Sequence, residues 1–365
     1  MTSIGKVISV LEKMAPLNLQ ENYDNSGLLC GNKSDEVNGI LVSLDCTEEV
    51  LEEAIDKGCN LIVSHHPILF KPISKLTGEH YVERCLIKAV QNNLALYAIH
   101  TNLDSVPDGV NGAIADKLAL VDRSILRPIV SNLRKLAVFC PESYAETVRN
   151  TLFENGAGHI GNYDRCSFNS TGTGTFRAGK GSNPFVGKEE LDHLESEIKI
   201  EVVFRSYDQG VLINSLLQAH PYEEVAYDIY FLENEDASAG MGMIGNLPKP
   251  VKNAIFLKLL KDLFGTKVIK YTSCDQKFIS KVAICGGSGS FLIKDALKAG
   301  ADAFVTGDIK YHDFFEADSK MMLTDIGHFE SEQFTTDLLV DVLSKNFTTF
   351  ATHFSTVQTN PINYF

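Results

Sequence analysis

Five side chains of this 365-residue chain have the types and placement to hold metal ions: His65, His66, Asp104, His328 and Glu332. Each stands just beyond an apolar run that reads as a β-strand, and in an open α/β sheet ligand sites gather beyond the carboxyl ends of strands. Residues distant in sequence would thereby meet at one place. Taken singly, each is more simply a polar residue at a strand end or a turn cap; their shared position is what points to a site. Neighbouring side chains on a strand face opposite ways, so His65 and His66 suit two ions better than one. Pro67 keeps His66 extended and the two imidazoles splayed. His328 and Glu332, at the start of a helical pattern reaching Leu343, would share one helix face.

Five ligands are too few to give two ions three or four protein ligands each. A carboxylate, Glu332 or Asp104, must bridge, or water must complete the shells. Open positions favour chemistry over a closed structural site. Imidazole with carboxylate suits zinc, iron, manganese, cobalt or nickel, zinc being our first choice, and no thiolate joins the set. Beside the metals, Asp308 follows a strand at residues 303–306 and His312 follows about a turn later; both, with His100 ahead of Asp104, are candidate acid/base or supporting groups. Glu330 points away from the His328–Glu332 face and is left out.

The elements that must position these residues alternate. Residues 4–14 read as helix, 40–44 as strand, 48–57 as helix and 60–64 as strand, with further strands at 94–99, 281–285, 303–306 and 321–326 and helices at 251–263 and 291–299. Alternation implies a mainly parallel sheet flanked by helices, an α/β core. The character changes at Arg127-Pro128 and again near Ala237 to Gly240. Between them the order is strand, helix, strand, strand, helix, strand, the ferredoxin-like α+β arrangement. We therefore expect a discontinuous core, residues 1–126 and 237–365, interrupted by an insert at 127–236. The glycine-rich stretch from Gly156 to Gly187 reads as a mobile loop. His220, Glu223 and Glu224 read as a capped helix end with solvated acids rather than a metal site. The loop Cys285-Gly-Gly-Ser-Gly-Ser290 is either an anion cradle of backbone amides or a structural tight turn.

Several stretches resemble one family: Glu21-Asn-Tyr-Asp-Asn-Ser-Gly27, Ser64-His-His-Pro67, His100-Thr-Asn-Leu-Asp104, Cys285 to Ser290, Thr306-Gly-Asp308 and Gly327-His-Phe-Glu-Ser-Glu332. Their order over nearly the whole chain is similar to that of the Nif-three-like dinuclear-metal proteins, many labelled GTP cyclohydrolase 1 type 2 homologues. The resemblance implies that His65, His66, Asp104, His328 and Glu332 are the metal ligands. It also implies a nucleotide substrate with opening of the GTP purine ring, a toroidal homohexamer, and a PII/CutA-like insert, for which Ala219-His-Pro-Tyr-Glu-Glu-Val225 is the matching phrase. Where the family often has Trp, this chain has Tyr23 and contains no Trp.

Composition sets the outer bounds. A net charge of −14 argues against broad nucleic-acid affinity, which needs Lys and Arg to neutralise phosphates. The N-terminus lacks an apolar core with a cleavage site and no run approaches membrane-spanning length, so a cytoplasmic chain is expected. Eight cysteines, none within ten residues of another, form no Cys-x-x-Cys element and read as reduced buried thiols. A metal-dependent hydrolase follows as the leading function. Phosphoester hydrolysis is the enzymatic rival, and the alternative from another class is a metal-containing regulatory protein that senses a ligand or partner through the insert.

Overall fold

The computed structural model describes residues 2–365. The chain divides into two compact units, Met1–Pro128 with Ser238–Phe365, and Ile129–Ala237.

The first unit is built on two sheets. In one, the strands run Gly27–Cys30, Ala95–Ala98, Leu61–Ser64, Gly39–Ser43, Ala351–Phe354. The last four are mutually parallel, and only Gly27–Cys30 is antiparallel to its neighbour. Gly39–Ser43, Leu61–Ser64 and Ala95–Ala98 are buried along their length, as parallel strands covered on both faces must be. Helices supply the cover. In Ile4–Met14, Ser3 caps the first turn and Ile4, Val7, Ile8 and Leu11 form one buried stripe at helical spacing. Glu48–Asp56 starts from a Thr47 cap and buries Val50, Leu51 and Ala54, packing with Leu41, Ile62 and Leu96.

The second sheet departs from the expected parallel order. Met322–Asp325, Ala303–Gly307 and Phe278–Ser288 are parallel neighbours, but Lys270–Tyr271 and Asp236–Lys252 pair antiparallel at its flanks, with Val121–Ile129 beyond. The core thus holds two sheets, and this one is mixed. Asp236–Lys252 is a strand that the sequence reading did not expect, because Gly240, Gly242 and Gly245 interrupt it and Pro248 and Pro250 come after them. Tertiary packing overrides that local signal: a Cβ on Gly242 would lie 2.7 Å from Leu292, so glycine is what lets the strand sit against the core. The helical pattern expected to run unbroken to Leu343 divides into His328–Glu332 and Thr335–Asn346.

The second unit has the element order strand, helix, strand, strand, helix, strand, in one antiparallel sheet ordered Phe168–Arg177, Asp192–Arg205, Leu133–Pro141, Tyr227–Phe231. Helices Ala145–Glu154 and Gln209–Ala219 cover one face, burying Leu136, Val138, Ile200, Val202, Leu212 and Leu216. Part of the glycine-rich stretch is strand rather than loop. Gly174 lies in Phe168–Arg177, where a Cβ would meet the Glu197 carboxylate at 2.2 Å. Among the described residues, no helix is long and apolar enough to cross a membrane.

Candidate metal centre

Carboxyl ends of parallel strands from both sheets of the first unit supply the cluster. Asp45 follows Gly39–Ser43, His65 and His66 follow Leu61–Ser64, and His100 follows Ala95–Ala98. From the other sheet, Asp308 follows Ala303–Gly307 and His328 follows Met322–Asp325. Glu332 comes from the helix His328–Glu332, and Asp104 closes the short helix Thr101–Asp104. This is the strand-end convergence that an α/β architecture offers a ligand.

His65 fixes the chemistry of the deepest part. It is fully buried, and its Nδ1 lies 2.8 Å from the carbonyl oxygen of Ile99. A carbonyl only accepts, so Nδ1 carries the hydrogen and Nε2 presents a lone pair. That Nε2 faces Asp104 Oδ1 at 3.8 Å and Glu332 Oε1 at 3.7 Å. Neither His65 Nε2 nor Asp104 Oδ1 has a hydrogen-bond partner, although both are buried. Leaving such an atom unpartnered costs about 1–3 kcal/mol. Ligand atoms that converge in this way, with His65 Nε2 at no hydrogen-bond distance from either carboxylate oxygen, fit a cation.

A second triangle adjoins the first. His66 Nε2 and His328 Nε2 lie 3.2 Å apart, and each reaches Glu332 Oε2, at 3.0 and 3.1 Å. Their Nδ1 atoms donate to Asp45 and Asp308, both at 2.7 Å. These carboxylates hold the rings with Nε2 inward, the arrangement that orients metal-bound histidines. Burial opposes the charge on His66, but hydrogen bonds to Asp45 and Glu332 outweigh it and lift its pKa to about 9. At His328 burial loses to Asp308 and Glu332, and the value reaches about 11. Burial, reinforced by the charge of Glu332, pushes the Asp104 carboxyl up to about 7. Glu332 goes the other way: despite burial, contacts led by His328 hold it well below the carboxylate range. A cluster that pulls protons onto imidazoles in this manner is primed for a positive ion. His65, Asp104 and Glu332, and likewise His66, His328 and Glu332, offer ligand atoms within 4.8 Å of one another, so this cluster could bind a metal ion.

His100, expected to move protons, falls in a third such group with His65 and His66. Its Nδ1 donates to Asp24 at 2.8 Å, and Asp24 also accepts from the backbone amides of Asn25 and Thr101. Although Asp24 is partly desolvated, these bonds, His100 first, hold its carboxyl far below the usual range. Asp308 orients His328, as described. His312 is exposed, its ring against Tyr311 and Phe315, and does not line the cavity around the cluster. The loop after Cys285 is a structural turn. Its glycine amides are already taken: Gly286 by Asn111, Gly287 by Ser331 and Gly289 by Thr306. A Cβ on Gly287 would lie 2.2 Å from Glu332 Oε1, so the glycine is what admits the carboxylate. His220 uses both nitrogens, on Phe139 O and the Tyr222 amide, and is free for no ion.

Two aspartates escaped the reading of the sequence. Asp45 carried the same strand-end signal as the ligands. Asp24 carried none beyond its place in the stretch Glu21 to Gly27.

Comparison with known proteins agrees with this architecture. A profile of the family DUF34/NIF3 (NGG1p interacting factor 3) matches residues 2–361. The "GTP cyclohydrolase 1 type 2 homolog" of Halalkalibacterium halodurans is 40% identical over 307 residues, 84% of this chain and 82% of that protein. The Bacillus subtilis protein of the same name is 36% identical over 329 residues, 89% of this chain and 87% of its own. A Bacillus cereus protein related to NIF3, solved by crystallography, superposes with a TM-score of 0.86 at 34% identity, covering 100% of this chain and 99% of that one. With fold and sequence matched from end to end, the chain belongs to the DUF34/NIF3 family.

Proposed function

We propose that this protein is a hydrolase dependent on two divalent metal ions, zinc by preference, acting on a small molecule. The observation that carries the reading is His65 Nε2, buried between two carboxylate oxygens and without a hydrogen-bond partner. His65 and Asp104 would hold one ion, His66 and His328 the other, and Glu332, whose two oxygens face both groups, would bridge them. Such ions, when bound, acidify water and polarise a substrate oxygen.

The chain's own residues do the rest. Asp45 and Asp308 keep His66 and His328 in one tautomer. His100 has its Nδ1 on Asp24, leaving Nε2 without a protein partner in a residue that lines the cavity; there it would take a proton from water and return it to a leaving group. Asp308 serves orientation in this scheme, and His312 has no part. Opening of the purine ring of GTP, which the relatives' name suggests, is the first reaction to try, and phosphoester hydrolysis the second.

A ring-shaped hexamer and a cytoplasmic location complete the proposal, with residues 127–236 as a PII/CutA-like insert. A regulatory role for that insert is supported by its own cavity of about 670 Å³. There Glu197 is nine-tenths buried with one oxygen on the Tyr222 hydroxyl.

Metal content of protein purified without added metal or chelator tests the reading, with GTP turnover on the same samples. About two ions per chain, lost together with turnover in His66→Ala/Glu332→Ala, is the expected result. No stoichiometric metal after reconstitution with zinc, manganese and iron would sink it.

A further inference from the structure

The cavity around the cluster has a volume of about 720 Å³, room for a ligand of nucleoside size. Its wall sets aromatic rings against acids. Tyr23, Phe70 and Phe291 line it with 66%, 51% and 46% of their surfaces exposed. Phe70 stands edge-on to His100, ring centres 5.6 Å apart, which ties this aromatic rim to the cluster.

Apart from the imidazoles of His66, His100 and His328, the charged side chains at this wall are acids. Asp45, Asp104, Asp308 and Glu332 line the cavity, and among the described residues no lysine or arginine does. The cations that come near are engaged elsewhere. Arg127 lies over the Phe291 ring but is bonded to Asp295, and Lys270 is paired with Asp325 at 2.5 Å. Four carboxylates equal the charge of two divalent ions, so even a fully loaded site has no positive excess for a polyphosphate. Sites built for phosphates use backbone amides, lysine or arginine. Here the turn spends its three glycine amides on Asn111, Ser331 and Thr306.

We infer that the substrate of this site is an uncharged, planar heterocycle with a hydrolysable ring C–N bond, a nucleobase or nucleoside rather than a nucleoside triphosphate. The inference rests on the hydrolase reading above and narrows it. Flat rings find exposed aromatic faces at the rim to stack on, and a neutral ligand meets no repulsion from the four acids. Ring opening balances as a hydrolysis: the water oxygen bonds to the ring carbon, the C–N bond breaks, and nitrogen keeps the electron pair and takes a proton. No oxidant or reductant is needed.

Isothermal titration of the full chain, carrying the metal it holds on purification, with guanosine, GMP and GTP varies phosphate charge alone. Metal content measured after each run keeps stripping by the triphosphate from counting as binding. Affinity should fall at least about tenfold from guanosine to GTP. Added salt should narrow the gap, because screening shortens the reach of the acids. Phe70→Ala should weaken guanosine. Affinity that is level or rises towards GTP overturns the inference, and so does an absence of guanosine binding at millimolar concentration. Purine absorbance followed on the same samples separates the two claims. Guanosine preferred but left intact removes the hydrolase and keeps the ligand class; GTP preferred and opened does the reverse.

Discussion

Asp45 touches both His66 and the C-terminal segment: Oδ1 accepts from His66 Nδ1 at 2.7 Å, and Oδ2 accepts from the Thr359 hydroxyl at 2.5 Å. The same segment is tied down upstream, where Glu53 accepts from the Ser355 hydroxyl and the Thr356 amide. The carboxylate that orients His66 is therefore itself oriented by a residue 314 positions away. Asp45→Ala should lower metal affinity about 10–100-fold, the usual cost of losing a carboxylate behind a metal-bound histidine. Thr359→Val should lower it less, since the Asp45–His66 bond survives. Competition with a chromophoric chelator reads both, and native affinity in Asp45→Ala would remove the orienting role.

Glu332 and Asp104 are both carboxylates, yet they should not be equivalent. Glu332 sends one oxygen to each triangle, whereas Asp104 belongs to one group only. Glu332→Gln should therefore empty both positions and Asp104→Asn one. Elemental analysis of the two variants beside the native chain decides this, and equal losses would refute the bridging assignment.

Gly287 has a left-handed backbone, φ +60, and no space for a side chain, with Glu332 Oε1 2.2 Å from where a Cβ would stand. Gly300 is a built-in control, since its φ is +73 but nothing lies within 4 Å of a Cβ. Gly300→Ala meets only backbone strain, about 1–2 kcal/mol. Gly287→Ala meets that strain and must also displace the carboxylate. Its urea midpoint should fall further than that of Gly300→Ala, and it alone should lose metal. Equal midpoints and equal metal content would mean that the close approach has no consequence.

What could be read in the sequence followed from local pattern. The helix Ile4–Met14 and the buried strands of the first sheet announce themselves by apolar spacing, and five candidate ligands stand where strand ends should place them. Asp236–Lys252 was hidden because its glycines and prolines are turn signals that only three-dimensional packing overrules. The direction of its pairing is a long-range property that no window of sequence contains. His312 was a candidate by proximity to Asp308, but the short helix Tyr311–Ala317 turns it to solvent. Asp24 and Asp45 act through partners 76 and 21 positions away, contacts invisible to spacing.

His220 offers a pH test in the second unit. Its Nε2 lies 3.0 Å from the Phe139 carbonyl and its Nδ1 accepts from the Tyr222 amide at 3.1 Å, so the folded chain holds the neutral ring. Burial is the main cause, and it lowers the pKa below the ordinary histidine value. The sign follows from linkage. Between the depressed folded pKa and the unfolded one, near about 6.5, the unfolded chain binds more protons, so stability rises with pH there. The contribution is complete above the unfolded value and is lost as pH falls through it towards the folded one. Urea midpoints measured from pH 8 to pH 5 should therefore drop at the acid end, and the drop should shrink in His220→Gln, which cannot titrate. An unchanged acid limb in that variant would show that protonation of His220 does not oppose folding.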